Sequence, residues 1–289
     1  MFYTAYGESV RSKVSLDRFG LKRTQKPSSN VINLDFIHHT NELSNNYLNH
    51  QTKVNSSFGY YLNKEIALFE VYSGKKIVIK HFNDIDNDLI HTLLNYPFGI
   101  LFNQRKQYVI HASAVIFNGK VFCFCGKTQS GKSSLASYLI NMGGYLISED
   151  TCVFDYKSKN LVLLPSYNFL KISDDVNEYM KEPFSKPIRF FRKSTQRKGY
   201  ILNDKKFYRR SAAVDYFIYL EWSDHTPNLE KLNNKDSLKM LLSNEFISFS
   251  KENAPYRFKA ALDLVKRAKH FKYCRKKELH TLDEFINLF

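Results

Sequence analysis

Residues 121–133 read Val-Phe-Cys-Phe-Cys-Gly-Lys-Thr-Gln-Ser-Gly-Lys-Ser, and the fold class is predicted mainly from this stretch. The residues from Gly126 to Ser133 fit the pattern G-x-x-x-x-G-K-[S/T] at every fixed position. An apolar run typical of a buried strand precedes them, and a helix is predicted from Ser133 to Met142. Gly143-Gly144 would end that helix. A strand, a glycine-bearing loop and a helix in this order predict an α/β fold around a phosphate-binding loop (P-loop, or Walker A sequence).

The composition of this loop predicts a site for the phosphates of a nucleotide. Glycines let backbone N–H groups turn inward toward phosphate oxygens, and the start of the helix adds a partial positive charge. Lys132 would contact the outer phosphates, and the Ser133 hydroxyl is placed to bind magnesium. A glycine-rich turn without a ligand is the alternative. We predict ATP and Mg²⁺ as ligands, bound by Gly126, Lys127, Thr128, Gln129, Ser130, Gly131, Lys132, Ser133 and Ser134.

Two adjacent acidic residues, Glu149 and Asp150, follow the next predicted strand, Tyr145 to Ser148. Parallel strands joined by a crossover helix point their carboxyl ends to one edge of the sheet, so the acids should meet the phosphate loop. One carboxylate can hold the metal and the other can accept a hydroxyl proton. We predict Ser133 and Asp150 as metal ligands. One of the two acids could instead face solvent, because neighbours on a strand point to opposite faces.

Hairpin register predicts the position of His111. Tyr108 to Phe117 is a predicted strand, and Asn118-Gly119 is the strongest short hairpin signal. Counting back along an unbroken ladder places His111 opposite Gly126, where it could bond a phosphate or an acidic neighbour. The predicted catalytic residues are therefore His111, Lys132, Glu149 and Asp150. A bulge would break the count and leave a core histidine without a ligand role.

The chain divides into a predicted small β-rich domain over residues 1–97 and a predicted catalytic domain over residues 98–289. The polar stretch from His38 to Ser57 is predicted to be loop. Alternation, β-propensity and turn signals predict the remaining elements. The first domain would contain strands at Ile66–Tyr72 and Lys76–Lys80 and a helix at Asp86–Leu94; the second would contain a hairpin of Val153–Tyr156 with Leu161–Leu164, a strand at Val214–Leu220, and helices at Asp236–Leu242 and Tyr256–Lys269.

Composition excludes some classes of protein. The chain has 289 residues and a net charge of +15, which suits a partner with phosphates or carboxylates but also fits a solvated basic surface. No apolar window is long enough to span a bilayer and the N-terminus lacks a signal-peptide pattern, so a cytoplasmic protein without a membrane partner is expected. Cys123, Cys125, Cys152 and Cys274 match no zinc spacing, which favours buried thiols.

The segment from Lys181 to Arg210 is basic and weakly patterned. It is predicted to be a loop that faces the acceptor or the triphosphate, with a plain solvated loop as the alternative. Its basic residues near the centre are Arg189, Arg192, Lys193, Arg197 and Lys198.

Several of these stretches resemble the kinase domain of the HPr serine kinase/phosphorylase family, and still more its relatives encoded beside peptide-tailoring genes, including lasso-peptide kinases. The resemblance is specific from Tyr108 to Asp155 and looser toward the C-terminus. It is carried by Ile110-His-Ala-Ser-Ala-Val115, Asn118-Gly119, the loop through Ser133, and Ser148-Glu-Asp150.

This resemblance implies a mixed sheet with flanking helices, preceded by a small β-rich domain. It also implies transfer of the γ-phosphoryl group of ATP to a serine or threonine hydroxyl of a peptide or small protein, such as a ribosomally made precursor peptide. The family usually has Asp where this chain has Glu149, whose extra methylene moves the carboxylate by about 1.5 Å. The loop associated with phosphorylase activity is not recognisable, so dephosphorylation is not predicted.

Three other functions remain open from sequence. A kinase of a sugar or other metabolite would use the same residues. A nucleotide-binding regulatory module would keep Lys132 and Ser133 but not need Glu149. A nucleic-acid-dependent NTPase is favoured only by the net charge, so nucleic acid is not an expected partner. The sequence leaves a homo-oligomer open.

Overall fold

The structure, a computed structural model, describes residues 1–40, 43, 47, 51–190, 197–225, 227–246 and 251–289. Two mixed eight-stranded sheets and flanking helices form the molecule, which confirms the predicted α/β class. The predicted basic residues Arg192 and Lys193, and part of the polar stretch after Thr40, lie outside the described residues. The stretch from His38 to Ser57 is predicted to be loop, but Thr52–Val54 within it forms a strand that pairs with its neighbour in the first sheet.

The first sheet has the order β3-β1-β2-β4-β8-β7-β6-β5. Strands β2, β4 and β8 run parallel, and the remaining neighbours are antiparallel. The two strands predicted near Ser73-Gly74 are present as β7 and β8. The strands are β1 (Phe2–Ala5), β2 (Glu8–Ser12), β3 (Lys22–Arg23), β4 (Val31–His38), β5 (Thr52–Val54), β6 (Phe58–Asn63), β7 (Ala67–Tyr72) and β8 (Lys76–His81).

The second sheet has the order β13-β12-β9-β10-β16-β18-β17, with β11 also paired to β9. Its centre is the predicted hairpin, since β9 pairs with β10 from Phe117↔Lys120 onward. Its strands are β9 (Tyr108–Phe117), β10 (Lys120–Cys125), β11 (Tyr145–Ser148), β12 (Thr151–Lys157), β13 (Asn160–Leu163), β16 (Tyr216–Trp222), β17 (Asn228–Lys231) and β18 (Lys269–Arg275). A small separate sheet joins β14 (Leu170–Ser173) to β15 (Arg197–Tyr200).

Along one of its edges, strand β9 pairs with two different strands in succession. Its first half pairs with β12 through Thr151↔His111, and its second half pairs with β11 through Ser148↔Ala114. Both partners run antiparallel to β9, so β11 and β12 behave as one strand that is interrupted at residues 149–150. Strand β10 occupies the other edge of β9 and therefore runs parallel to β11, about 10 Å away across β9.

The four predicted helices are present with shifted ends, and two short helices, at Asp174–Tyr179 and Thr281–Ile286, were not predicted. Helix α1 begins at the predicted cap Asp86, whose side chain accepts the Leu89 N–H, but it continues past Pro97 rather than ending near Leu94. The predicted division between residues 97 and 98 thus falls inside a continuous helix, and the division itself stays a prediction. The helices are α1 (Asn87–Gln104), α2 (Lys132–Asn141), α3 (Asp174–Tyr179), α4 (Asn234–Ser243), α5 (Ala254–Arg267) and α6 (Thr281–Ile286).

Three large groups of buried side chains hold the sheets and helices together. The first group joins the first sheet and α1 to residues of the second sheet and the segment after it, including Val109, Val153 and Phe169. The other two lie on the two faces of the second sheet, one with α2 and the other with α5. Among the described residues, no helix combines the length and apolarity that crossing a membrane would need.

Candidate functional site

The predicted phosphate loop leaves β10 and enters α2 with backbone conformations that favour glycine. Gly126 has φ 140° and Gly131 has φ 91°, while Gln129 adopts φ 67°. A Cβ on Gly126 would lie 2.6 Å from the Ser130 Oγ and 2.7 Å from the Leu220 carbonyl oxygen. Only glycine therefore fits the first position, because the loop passes directly beside β16.

Lys132 and Ser133 are buried at the start of α2. The Lys132 Nζ donates to the carbonyl oxygens of Gly126 at 2.8 Å and Lys127 at 2.9 Å, so the ammonium group lies inside the turn of the loop. Burial lowers the pKa of Lys132, although the charge of Asp150 opposes this shift. The lysine is thus positioned as a charge within the concavity that the loop encloses.

The outer side of the loop is supported by two side chains from the ends of β16 and β18. The Trp222 Nε1 donates to the Gln129 carbonyl oxygen at 2.9 Å, and the Arg275 guanidinium lies 4.4 Å from the centre of the Trp222 ring. A Cβ on Gly131 would come within 2.4 Å of the Arg275 Nη2. The tryptophan and arginine thus fix the outer shape of the loop.

The acidic pair occupies the interruption between β11 and β12. Asp150 has φ 58°, and the Thr151 N–H donates to the Glu149 carbonyl oxygen at 2.6 Å. The Ser148 hydroxyl donates across the interruption to the Thr151 carbonyl oxygen at 2.8 Å. The acids directly follow β11, as the sequence predicts, and they lie beside the central part of β9.

Glu149 is buried, and neither of its carboxylate oxygens has a hydrogen-bond partner. Burial, together with the charge of Asp150, raises the pKa of Glu149 to about 8. The hydroxyl groups of Ser133 and Ser113 are near enough to lower this pKa in part, but neither makes a hydrogen bond of ordinary geometry to the carboxyl. The Ser113 and Ser130 Oγ atoms also lack partners, so several buried polar atoms beside the loop are unsatisfied.

Asp150 has a more polar environment than Glu149. Its Oδ2 lies 3.6 Å from the His91 Nε2 of helix α1, with 22% of the Asp150 side chain exposed. Burial would raise the pKa of Asp150, but hydrogen bonding to His91 and the charges of His111, His91 and Lys171 outweigh it and hold the pKa well below its usual range. Asp150 is therefore a carboxylate at neutral pH, whereas Glu149 favours its protonated form.

His111 lies where the hairpin count predicts. The β9–β10 ladder reaches Ala112↔Cys125, and His111 is the next residue on β9. Its Nδ1 donates to the Asp150 carbonyl oxygen at 2.9 Å. Burial and the charge of Lys132 lower the pKa of His111, although the charge of Asp150 opposes this shift. The sequence predicted that this ring could bond a phosphate or an acidic neighbour. The ring does contact the acidic residue Asp150, but at its backbone carbonyl oxygen and not at its carboxylate.

Other residues of the site had no local sequence signal. Asn244, which follows α4, accepts the Gly126 N–H on its Oδ1 at 2.7 Å and the His111 N–H on its carbonyl oxygen at 2.8 Å. Lys171 of β14 and His91 of α1 approach Asp150 from distant parts of the chain. Their side chains are ordinary in sequence, and only the tertiary fold brings them together.

Within its described residues, the predicted basic segment contributes the charge of Arg197 to this site. Besides burial, the charge of Arg197 contributes to the lowered pKa of Lys132. Lys198 instead pairs with Asp174 at 2.8 Å, and the carbonyl oxygen of Arg189 accepts the Asn87 side-chain N–H at 2.9 Å. The segment is thus partly structured, with β15 in the small sheet, rather than a plain loop.

A cleft of about 1020 Å³ opens over the loop and the acidic pair. It is lined by Gly126, Lys127, Thr128 and Ser130, by His111 and Asp150, and by side chains of α1 and β6 from the first half of the chain. Glu149 is buried and is not one of the lining residues. The described residues contain no cluster of three His, Cys, Asp or Glu side chains that could hold a metal alone.

Comparison with known proteins finds a distant structural likeness. No protein-family model and no curated protein sequence matches the chain. Among solved structures, the chain is similar to the one described as the HPr(Ser) kinase/phosphatase from Coxiella burnetii, with 13% sequence identity and a TM-score of 0.31 over 62% of this chain and 90% of that chain. At this identity and TM-score, the likeness assigns neither a family nor a function.

Proposed function

We propose that the protein is an ATP- and Mg²⁺-dependent phosphotransferase that moves the γ-phosphoryl group to a serine or threonine hydroxyl of a peptide or small protein. The observation that carries the proposal is the buried Glu149 carboxylate, which has no hydrogen-bond partner although it lies beside the phosphate loop. A buried carboxyl without a partner is costly, so such groups mark sites where a ligand or ion completes the structure.

The residues present fit a magnesium ion. Ser133 is close enough to Glu149 to lower the pKa of that carboxyl, and magnesium prefers hydroxyl, carboxylate and phosphate oxygens. We assign the metal side to Ser133 and Glu149, in place of the Ser133 and Asp150 expected from sequence, because Asp150 is already engaged by His91. When bound, magnesium would neutralise charge on the terminal phosphates.

The remaining steps use groups of the protein. Lys132 and the N–H groups at the start of α2 would bind the phosphates. Asp150, ionised and facing the cleft, would accept the proton of the acceptor hydroxyl. As the acceptor oxygen bonds to the γ-phosphorus, the bond between that phosphorus and the departing diphosphate breaks. His111 holds the Asp150 backbone, so we assign it a positioning role.

The test is phosphoryl transfer from γ-labelled ATP to unstructured peptides that contain serine or threonine. Label should appear on the hydroxyl and fall by about 100-fold or more in Glu149→Gln and Asp150→Asn, since acid–base and charge effects of this kind contribute that much. Asp155→Asn is the matched control, because Asp155 pairs with Lys157 at 3.5 Å away from the cleft. It should leave transfer unchanged.

Other outcomes favour other functions. Binding of ATP without transfer to any acceptor favours a regulatory nucleotide-binding module. Label that enters a sugar or another metabolite but no peptide favours a small-molecule kinase. ATP hydrolysis that RNA or DNA stimulates favours a nucleic-acid-dependent NTPase.

A further inference from the structure

Helix α1 presents a polar stripe to the cleft instead of to open solvent. The residues of this stripe recur at helical spacing, so they share one face. The opposite face, with Leu89, Leu93 and Leu94, is buried in the core. The first half of the chain therefore supplies a wall of the site, and this wall consists of Asp88, His91, Thr92, Asn95 and Tyr96.

The stripe is joined directly to the acidic pair. His91 lies 3.6 Å from the Asp150 carboxylate, and the Asn95 Oδ1 accepts the Thr151 hydroxyl at 3.2 Å. The Asn95 amide also donates to the His91 carbonyl oxygen at 2.9 Å within the helix. The position of α1 relative to Asp150 is thus set by side-chain contacts to two consecutive residues, Asp150 of the interruption and Thr151 at the start of β12.

An aromatic row extends from this wall to the phosphate loop. The rings of Tyr61 and Tyr96 stack with centroids 4.5 Å apart and 7° between their planes. Tyr96 lies 5.1 Å from Phe246, and Phe246 lies 5.6 Å from His111. All four residues line the cleft, and Tyr96 remains 41% exposed despite its two ring contacts.

In-line transfer places the acceptor on the side of the γ-phosphate that is opposite the leaving diphosphate. The loop with Lys132 would hold the diphosphate, and Asp150 would take the acceptor proton. The acceptor must therefore reach Asp150 from the side of α1, along the aromatic row.

We propose that the aromatic row of Tyr61, Tyr96 and Phe246 is the acceptor subsite, and that it takes an unfolded peptide segment with an aromatic or large apolar side chain next to the phosphorylated residue. This inference rests on the proposed phosphotransferase function. Tyr96, the exposed ring, makes the contact that selects the neighbouring side chain.

The shape of the cleft favours a flexible peptide chain as the occupant of the acceptor subsite. The proposed base, Asp150, lines the cleft with only 22% of its side chain exposed. A hydroxyl on the surface of a rigid domain could not reach this carboxylate. The row has two ring-to-ring steps, of 4.5 and 5.1 Å, and a third step of 5.6 Å leads from Phe246 to His111. That length matches roughly four residues of extended chain and exceeds a single sugar ring.

The experiment compares two peptides, Gly-Ala-Phe-Ser-Ala-Gly-Lys and Gly-Ala-Ala-Ser-Ala-Gly-Lys, as acceptors for the full-length protein. The wild type should prefer the Phe-containing peptide by about 3- to 10-fold in kcat/KM, the range of one aromatic contact. Tyr96→Ala should reduce this preference to less than twofold while the KM for ATP stays unchanged. Tyr145→Ala, which removes a tyrosine that is 44% exposed outside the cleft, should keep the full preference.

Each other result has a defined meaning. Transfer by the wild type with equal use of both peptides, or a preference that survives Tyr96→Ala, overturns the subsite while the proposed function stands. Faster transfer to glucose, glycerol or a folded protein than to either peptide also overturns it. ATP binding without transfer to any of these acceptors overturns the proposed function and the subsite together.

Discussion

Glu149 shows how a single residue can be unfavourable for the fold and favourable for a ligand. Its carboxyl is buried beside Asp150 and has no hydrogen-bond partner, so the ionised form is disfavoured and its pKa is raised to about 8. A nearby cation would reverse this preference. Glu149, which stands where the resembling family usually has Asp, thus has an environment that a bound metal ion would stabilise.

We predict that Glu149→Gln stabilises the metal-free protein at pH 8 more than at pH 5. Between the ordinary pKa of 4.5 and the folded-state value of about 8, the folded protein binds a proton that the unfolded chain releases. Stability therefore falls as pH rises through this window, and the neutral amide removes that loss. Denaturant unfolding in EDTA measures the free energy of unfolding. A stability difference that does not change with pH would contradict the prediction.

Asn244 should matter for nucleotide binding although no motif contains it. It holds the first N–H of the loop and the backbone of His111 at once, so Asn244→Ala loses its side-chain bond to Gly126. We expect ATP affinity to fall about 5- to 10-fold, the value of roughly one hydrogen bond. Calorimetric titration with ATP measures this. Asn141→Ala is the control, because Asn141 bonds the Glu182 carbonyl oxygen away from the cleft, and an equal loss there would contradict the role.

At the scale of elements, the phosphate loop depends on its contact with β16 and β18. Gly131→Ala should abolish detectable ATP binding, because a methyl group there meets the Arg275 guanidinium and the Trp222 ring. Gly143→Ala is the matched control. Gly143 has a similarly left-handed φ of 106° but no atom within 4 Å of the added carbon.

Alanine in the left-handed conformation costs about 1–2 kcal/mol at either position. Comparing the two variants therefore separates the effect of backbone strain from that of the contact with Arg275 and Trp222. Equal ATP affinity in the two variants, measured by calorimetry, would show that the contact with Arg275 is unimportant.

The elements near the hairpin could be predicted because local rules govern them. Asn118 and Gly119 both adopt positive φ, as a two-residue hairpin turn requires, and the unbroken ladder then determines where His111 lies. The C-terminal end of helix α1 could not be predicted from local rules. Pro97 usually ends a helix, yet the apolar residues on both sides of it are buried in one core, and that packing outweighs the lost hydrogen bond; they are Leu93, Leu94, Phe98, Ile100, Leu101 and Phe102.

For the whole molecule, contacts between the two sheets are extensive. Tyr6 of the first half is buried, contacts the rings of Phe102 and Tyr167, and donates to the Thr151 carbonyl oxygen at 3.3 Å. Arg105 at the end of α1 pairs with Glu8. Nothing local in the sequence predicts these pairs, since their members lie far apart along the chain. For the same reason, the approach of His91 and Lys171 to Asp150 could not be predicted.

We expect the two sheets to unfold together. Tyr6→Ala should destabilise the protein by about 3–5 kcal/mol and lower its melting temperature by roughly 5–10 °C. The single tryptophan, Trp222, lies in the second sheet, so its fluorescence reports on the half that was not mutated. Fluorescence and circular dichroism should shift to the same lower midpoint, whereas Tyr145→Ala should leave both unchanged. A shift in circular dichroism alone would contradict joint unfolding.

The shared strand β9 has a consequence for how the gene can vary. A residue inserted between His111 and Phe117 would exchange the two faces of the strand and separate His111 from both Thr151 and the phosphate loop in one step. A residue inserted at the Asn118-Gly119 tip would change none of these pairings, because a side chain at Gly119 would meet no atom within 4 Å. Codon insertions and deletions should thus be tolerated at the tip of the hairpin and removed by selection a few residues earlier.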